Sequence, residues 1–148
     1  MLRREQRLPG TPDEVFPFFA DAHNLEAITP PWLGFRVLTP QPIEMRPGAL
    51  IEYRLALHGL PLSWLTRIEE WVPGERFVDA QLHGPYALWH HTHEFVPHGA
   101  DTLMRDTVRY ALPYWPLGEV AHALLVRRDL AAIFAFRHQE VARRITAR

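Results

Sequence analysis

The stretch HGPYALWHHTHEF, residues 83 to 95, decides how the chain must fold. Side chains alternate between the two faces of a strand, so one face of this stretch carries Ala87, Trp89, His91, His93 and Phe95. A face with Trp and Phe must be buried, and buried imidazoles need hydrogen-bond partners because unpaired polar groups away from water are costly. This face is therefore either a core whose polar groups are satisfied internally or a functional site.

The bulk composition limits the classes of protein to consider. The chain has 148 residues, with Lys+Arg 16, Asp+Glu 17, a formal net charge of -1 and no cysteine. This length predicts one domain over residues 1–148, and the balanced charge gives no general attraction to nucleic acid or anionic membranes. Disulfides and thiolate metal sites are excluded by the composition. The N-terminus lacks an apolar signal region, and no stretch approaches the roughly 20 apolar residues of a membrane span, so we expect a cytoplasmic protein.

The first thirty residues predict an edge strand followed by two short helices. Residues 2 to 8 alternate weakly, which is typical of an edge strand. Thr11 is followed by Pro12 and by Glu14, the pattern of an N-cap, a first helical proline and a capping box. Asp21 can cap a second helix, which the Thr-Pro-Pro sequence at residues 29 to 31 must end.

The rest of the chain predicts a meander of strands and one long helix. From Phe35 to Leu112 the hydrophobic pattern has period two, with Pro or Gly turns at short intervals. From about residue 118 to about residue 146 apolar side chains recur at spacings of three and four, which predicts a helix on the order of 40 Å long. Curling the sheet around this helix buries the apolar face, so we predict an α+β helix-grip fold with about seven antiparallel strands.

Pairing of the last two strands places a carboxylate beside the buried histidines. If residues 97 to 100 form the connection, antiparallel pairing sets His91 opposite Asp106 and His93 opposite Met104. A carboxylate fixes the tautomer of a histidine and raises its basicity, as in an oriented general base. The structural alternative is that Asp106 only satisfies a buried imidazole.

The sheet face on which three further polar residues lie depends on the length of a turn, which the sequence leaves open. Asp79, Gln81 and His83 would join the histidine face if the turn beginning at Gly84 holds three residues. A two-residue turn would bring the opposite face of that strand inward, because a one-residue slip exchanges the faces. Both registers remain open at this point.

His91 and His93 also have the spacing of two metal ligands on one strand. Zinc requires a third protein ligand, and the sequence supplies none whose register is known, so we predict no metal and no cofactor. A Gly-rich phosphate loop, a Ser nucleophile elbow and a basic patch interleaved with aromatics are all missing. Nucleotides and nucleic acids are therefore not expected as partners.

The whole chain resembles the START-like superfamily, also called SRPBCC, which includes polyketide cyclases and dehydrases and lipid-transfer and coenzyme-Q-binding domains. The motifs that carry a narrower resemblance, to a bacterial ligand-binding subgroup, are Asn24-Leu25 with Ile28-Thr29-Pro30, Gly84-Pro85-Tyr86 with Trp89, His91, His93 and Phe95, and Asp106 with Tyr110 and Pro113. Some members of this subgroup are labelled cell-division inhibitors, or occur beside an epimerase-like dinucleotide-binding domain. The resemblance implies a cavity for an apolar small molecule between the sheet and the long helix, and an epimerase-like protein as a partner to consider.

Of three function classes, a binding module is our first choice. It would hold a hydrophobic molecule, such as a lipid, a polyketide or a quinone-like compound, with the histidines and Asp106 as its polar anchor. The ligand-binding residues predicted for it are Trp32, Phe35, Tyr53, Tyr86, Trp89, His91, His93, Phe95, Asp106, Tyr110 and Phe134.

The two alternatives are an enzyme and an interaction module. A cyclase or dehydratase would use His91 or His93 as the base, Asp106 to orient it, and Tyr86 or Tyr110 as hydrogen-bond donor to a developing enolate. An interaction module would dock a partner chain on the loop of Trp32 and on residues 113 to 116.

Overall fold

Seven antiparallel strands curl around one long helix in the computed structural model, which describes residues 1–113 and 119–146. The elements in chain order are β1 (Leu2–Pro9), α1 (Pro12–Ala20), α2 (Ala22–Ala27), a 3-10 helix (Pro31–Leu33), β2 (Arg36–Val37), β3 (Leu50–Leu57), β4 (Leu60–Val72), β5 (Arg76–His83), β6 (Leu88–His98), β7 (Asp101–Ala111) and α3 (Glu119–Thr146). The strand order across the sheet is β1-β7-β6-β5-β4-β3-β2. The predicted helix-grip fold is confirmed.

The two short helices begin where their capping residues predict. The Thr11 backbone N–H donates to Glu14 Oε1 at 3.2 Å, and the Thr11 hydroxyl donates to the same oxygen at 3.0 Å. Asp21 accepts a hydrogen bond from the His23 backbone N–H at 2.9 Å and so caps α2. These bonds satisfy donors that the first turn of a helix leaves free.

The concave face of the sheet is buried against α3. On β3 the side chains of Ile51, Tyr53 and Leu55 are buried while their neighbours are exposed, as the period-two pattern predicts. From α3, buried apolar side chains spaced by four or seven residues face the sheet, and these are Val126, Leu130, Phe134, Val141 and Ile145. None of the described helices is long and apolar enough to cross a membrane.

The predicted register of β6 with β7 is wrong by two residues. His93, and not His91, lies opposite Asp106, and His91 lies opposite Val108. The strands continue to His98 and Asp101, so the connection holds two residues instead of four, and Gly99 adopts a φ of 63° in it. A shift of two residues keeps every side chain on its face, so Asp106 still shares a face with both histidines.

The register of β5 with β6 is also settled by the structure. Asp79 lies opposite His91, the pairing expected from a three-residue turn, so its carboxylate shares the buried face. Gln81 instead binds the connection between these strands: its amide donates to the Tyr86 carbonyl at 2.8 Å and accepts from the Tyr86 N–H at 3.1 Å. His83 is exposed.

Candidate functional site

A cavity of about 200 Å³ lies between the sheet and α3. Its walls are mainly apolar, with Ile51, Leu55 and Ile68 from the sheet and Leu130 and Ile133 from α3. The strand side chains point inward because they occupy alternate positions, and the helix side chains because they lie on one stripe. The fold therefore leaves an apolar space at the position that the resemblance implies.

The structure places seven of the eleven predicted ligand-binding residues in the cavity wall. These are Phe35, Tyr53, Tyr86, Trp89, His91, His93 and Phe134. That they contact a ligand stays a prediction.

The other four predicted residues lie outside the wall, each for a local reason. Trp32 is 63% exposed and packs against Phe136, because the 3-10 helix turns Leu33 inward in its place. Phe95 is buried in the core beyond the cavity, with its ring 5.1 Å from the ring of Phe16. The exposed Trp32 is compatible with the interaction module, but residues 114 to 116 of the second docking segment lie outside the described residues.

Tyr110 and Asp106 do not line the cavity but contact residues that do. The ring of Tyr110 packs edge-on with its centroid 6.0 Å from that of Tyr86, which lines the cavity. Asp106 contacts the two buried histidines. Tyr86 therefore remains the tyrosine of the predicted enzyme that faces the cavity, and burial raises its pKa above the ordinary phenol value, which keeps it a neutral hydrogen-bond donor.

Two crossed histidine and aspartate pairs meet at one part of the wall, which Asp106 does not itself line, and we call Asp79, His91, His93 and Asp106 the His/Asp cluster. His91 Nε2 lies 2.8 Å from Asp106 Oδ1, and His93 Nε2 lies 2.7 Å from Asp79 Oδ2. Each aspartate stands opposite one histidine in the sheet and bonds to the other, two residues along the strand. Such diagonal pairs are within reach of long side chains on one sheet face.

Ring stacking holds both imidazoles in place. The rings of His91 and His93 stack with centroids 3.7 Å apart, and the ring of Phe77 stacks on the other face of His93 at 3.9 Å. The two histidines are only 4% and 3% exposed, so their ring nitrogens depend on the aspartates for hydrogen bonds. Stacking and hydrogen bonding together leave each ring little freedom to turn.

Arg137 of α3 adds a positive charge to the His/Asp cluster. Its Nη2 lies 3.6 Å from Asp106 Oδ1 and 3.4 Å from His93 Nδ1, and its guanidinium lies over the rings of Phe19 and Phe134. Arg137 is not among the site residues predicted from the sequence. The sequence did contain a signal for its position, since Arg137 follows Leu130 by seven residues and Phe134 by three and therefore lies on the buried stripe of the helix.

Burial and partner charges set the protonation of the cluster. Burial opposes ionisation of Asp106 and Asp79, but Arg137 and the histidine hydrogen bonds outweigh it and lower both pKa values, that of Asp106 strongly. Burial and the neighbouring His93 lower the pKa of His91 to about 4. Burial disfavours charge on His93 too, yet its hydrogen bonds to both aspartates raise its pKa. Arg137 and the hydrogen bonds that favour the charged form of His93 thus both oppose the negative charge of the two carboxylates.

The cluster also contains the third ligand that the sequence could not supply for a metal ion. Asp79, His91 and His93 each offer one ligand atom, and the three atoms lie within 4.8 Å of one another. All three residues line the cavity. The arrangement can therefore donate and accept hydrogen bonds, or present two imidazoles and a carboxylate to a cation.

Comparison with known proteins agrees with the fold. A family model described as polyketide cyclase / dehydrase and lipid transport matches residues 8–136, which is most of the chain. No curated protein matches the chain.

Solved structures share the architecture at low sequence identity. The chain superimposes on TTHA0849 from Thermus thermophilus with a TM-score of 0.73 and 20% identity, covering 99% of this chain and 97% of that one. For CV1439 from Chromobacterium violaceum the TM-score is 0.75 at 16% identity, covering 97% and 95%. A nucleoside-diphosphate sugar epimerase from Corynebacterium glutamicum gives 0.70 at 22%, covering 97% of this chain and 28% of that one. These likenesses concern the fold alone.

Proposed function

The chain belongs to the polyketide cyclase/dehydrase and lipid transport family, and from this premise we propose that it binds a hydrophobic small molecule with the His/Asp cluster as polar anchor. The family supports hydrophobic ligand binding in general. The proposal names the cavity between the sheet and α3 as the site, and a lipid, polyketide or quinone-like compound as the ligand class.

One observation carries the proposal: two imidazoles, a carboxylate and a guanidinium converge in one part of a mainly apolar cavity. Asp79, His91, His93 and Arg137 reach the cavity together, whereas β3 and the remaining cavity-lining positions of α3 contribute aliphatic and aromatic side chains. Ligand sites commonly combine a mostly apolar lining with a few convergent polar groups that fix orientation. The apolar body of a ligand would lie against the aliphatic wall and its polar end against the cluster.

The charge of the cluster indicates what the polar end should be. Because Asp79, Asp106 and Arg137 already pair with one another or with the histidines, a charged organic group would lack a free partner in a buried place, which is unfavourable. A carbonyl or hydroxyl oxygen would instead accept from Arg137, and a hydroxyl group could also donate to Asp79; both side chains line the cavity. We therefore expect a ligand with an apolar body and a neutral oxygen function at one end.

A matched pair of β3 variants tests the location of the site. Leu55 lines the cavity and is 8% exposed, whereas Leu50 of the same strand is 49% exposed, on the other face. Leu55→Trp should fill the cavity and weaken binding of an environment-sensitive apolar fluorophore at least tenfold. Leu50→Trp should bind like wild type.

Thermal melts of both variants show whether each is folded. A folded Leu55→Trp protein that binds the fluorophore as tightly as wild type would contradict the proposed site. Should Leu55→Trp fail to fold, Ile133→Phe provides the same test from the α3 side of the cavity.

A cyclase or dehydratase is a second candidate because His91 is an oriented imidazole in the cavity wall. Its Nε2 is held by Asp106 at 2.8 Å, and Tyr86 faces the same cavity. This is the arrangement of a base with its orienting carboxylate and a donor for a developing oxyanion. Product analysis after incubation with aromatic polyketide precursors tests it: turnover by wild type that is lost in His91→Gln would support an enzyme.

The epimerase-like partner stays a prediction. Co-purification of the tagged chain with a dinucleotide-binding epimerase would support it, and recovery of the chain without one would count against it.

A further inference from the structure

We propose that Asp79, His91 and His93 bind a divalent transition-metal ion in the cavity wall, through Asp79 Oδ2, His91 Nδ1 and His93 Nε2. The proposal goes beyond hydrophobic ligand binding and does not depend on it, because it concerns only these three side chains and the residues that orient them.

The ligand atoms are already close to the separations that one ion requires. His93 Nε2 is 2.7 Å and His91 Nδ1 is 4.0 Å from Asp79 Oδ2, and all three ligand atoms lie within 4.8 Å of one another. Ligands about 2.1 Å from a tetrahedral zinc ion are separated from each other by roughly 3.4 Å. A rotation of the Asp79 side chain that moves Oδ2 away from His93 and toward His91 would bring both separations near this value without turning either imidazole.

The carboxylate of Asp106 lies where metal-ligating histidines usually have a hydrogen-bond acceptor for their second ring nitrogen. Asp106 Oδ1 lies 2.8 Å from His91 Nε2 and 3.3 Å from His93 Nδ1, the two nitrogens that point away from the proposed ion. Metal-bound histidines generally donate their other N–H to such a carboxylate, which fixes the ring and the tautomer. Metal binding would release the Nε2 proton that His93 shares with Asp79, and Asp106 would then leave the lone pairs of both imidazoles directed at the ion, with Arg137 balancing the charge of Asp106.

The position of the proposed ion in the cavity wall determines what can complete its coordination. Three protein ligands leave at least one coordination position open, as in catalytic and not structural zinc sites. Because all three side chains line the cavity, this open position would face the cavity and accept water or an oxygen atom of a bound molecule. Two imidazoles with one carboxylate favour zinc or ferrous iron over calcium and magnesium, which prefer oxygen ligands.

Cobalt(II) titration of the chelator-treated full chain tests the proposal with the metal alone. Wild type should bind one ion per chain and develop visible absorption bands of a low-coordinate site, and zinc should displace the cobalt. Asp79→Asn and His93→Gln should each weaken binding at least a hundredfold, and Asp106→Asn about tenfold to a hundredfold, as for other orienting carboxylates. The control His98→Gln, an exposed histidine of the same strand, should bind like wild type.

Circular dichroism establishes which variants are folded, and Asp106→Asn and Asp79→Asn keep the shape of the residues they replace. Failure of wild type to bind cobalt or zinc stoichiometrically would overturn the proposal, as would wild-type affinity in folded Asp79→Asn protein. Fluorophore binding measured with chelator present separates the two proposals: binding without any metal affinity would refute the metal site alone.

Discussion

Replacing Arg137 by Met should destabilise the protein far more than the same change at Arg143, although both arginines lie on α3 and both form ion pairs. Arg143 Nη2 is the closer to its partner, 2.8 Å from Glu140, but its side chain is 65% exposed. The Arg137 side chain is 12% exposed and lies 3.6 Å from Asp106. Burial and not distance decides the outcome, since water and salt screen exposed pairs.

The expected size of the effect follows from this separation. Two unit charges 3.6 Å apart attract by about 4 to 5 kcal/mol at an effective dielectric constant of about 20, and breaking a buried pair typically costs about 3 to 5 kcal/mol. Met keeps much of the contact with Phe19 and Phe134, so most of the loss would come from the uncompensated charge of the cluster. We expect Arg137→Met to lower the free energy of unfolding by about 3 to 5 kcal/mol.

Urea denaturation of wild type and both variants at pH 7 measures this difference. Arg143→Met should denature within error of wild type, at both low and high salt. A loss in Arg137→Met no larger than in Arg143→Met would refute our account of the cluster as a buried group whose negative charge Arg137 opposes.

Three further predictions concern the core, the histidines and a loop. Leu130→Asp buries a carboxylate without a donor, so the cooperative thermal transition should be lost, and a melt like that of wild type would contradict the packing of α3 on the sheet. With chelator present, the pKa of His91 is about 4 in the folded protein and about 6.5 in the unfolded chain. The contribution of His91 to the free energy of unfolding should therefore be complete above about pH 6.5 and should be lost as the pH falls toward 4. The pKa of His93 is raised, so its contribution to the free energy of unfolding should be lost as the pH rises above about 6.5. NMR titration of both imidazole rings tests whether the two pKa values shift in these opposite directions. A Cβ at Gly84 would lie 2.6 Å from Gln81 Oε1, so Gly84→Ala should release the Gln81 amide and lower the melting temperature, whereas an unchanged melt would show that the loop adapts.

Much of the fold could be predicted because local patterns agree with the tertiary structure. The capping residues Thr11 and Asp21 mark helices that form, and the alternation of residues 50 to 58 is visible as burial along β3. The C-terminal helix could be bounded to within a residue of its described start and end. In each case the signal is short-range, so no knowledge of distant contacts is needed.

Strand register could not be predicted, because it depends on the size of a turn. Hydrophobic alternation distinguishes the faces of a strand but is unchanged by a slip of two residues. The sequence therefore identified Asp106 as a neighbour of the histidines and assigned it to the wrong partner in the sheet. Whether Asp79 lies on the same sheet face as the histidines depends on a difference of one residue in the β5–β6 turn, which only the strand pairing in the structure resolves.

Arg137 shows a different limit. An arginine on the apolar stripe of a helix can extend its guanidinium to solvent, so position alone does not reveal burial. Only the placement of α3 over the His/Asp cluster shows that this side chain is directed at Asp106.

Native mass spectrometry tests the central claim, a hydrophobic ligand held between the sheet and α3, most directly. Wild type incubated with a long-chain alcohol, an aromatic polyketide or a quinone should show one added mass per chain for at least one compound. Organic extraction should remove this mass, and the folded Leu55→Trp variant should not acquire it. Detection of only the bare chain with every compound, or an equal added mass on Leu55→Trp, would contradict the account.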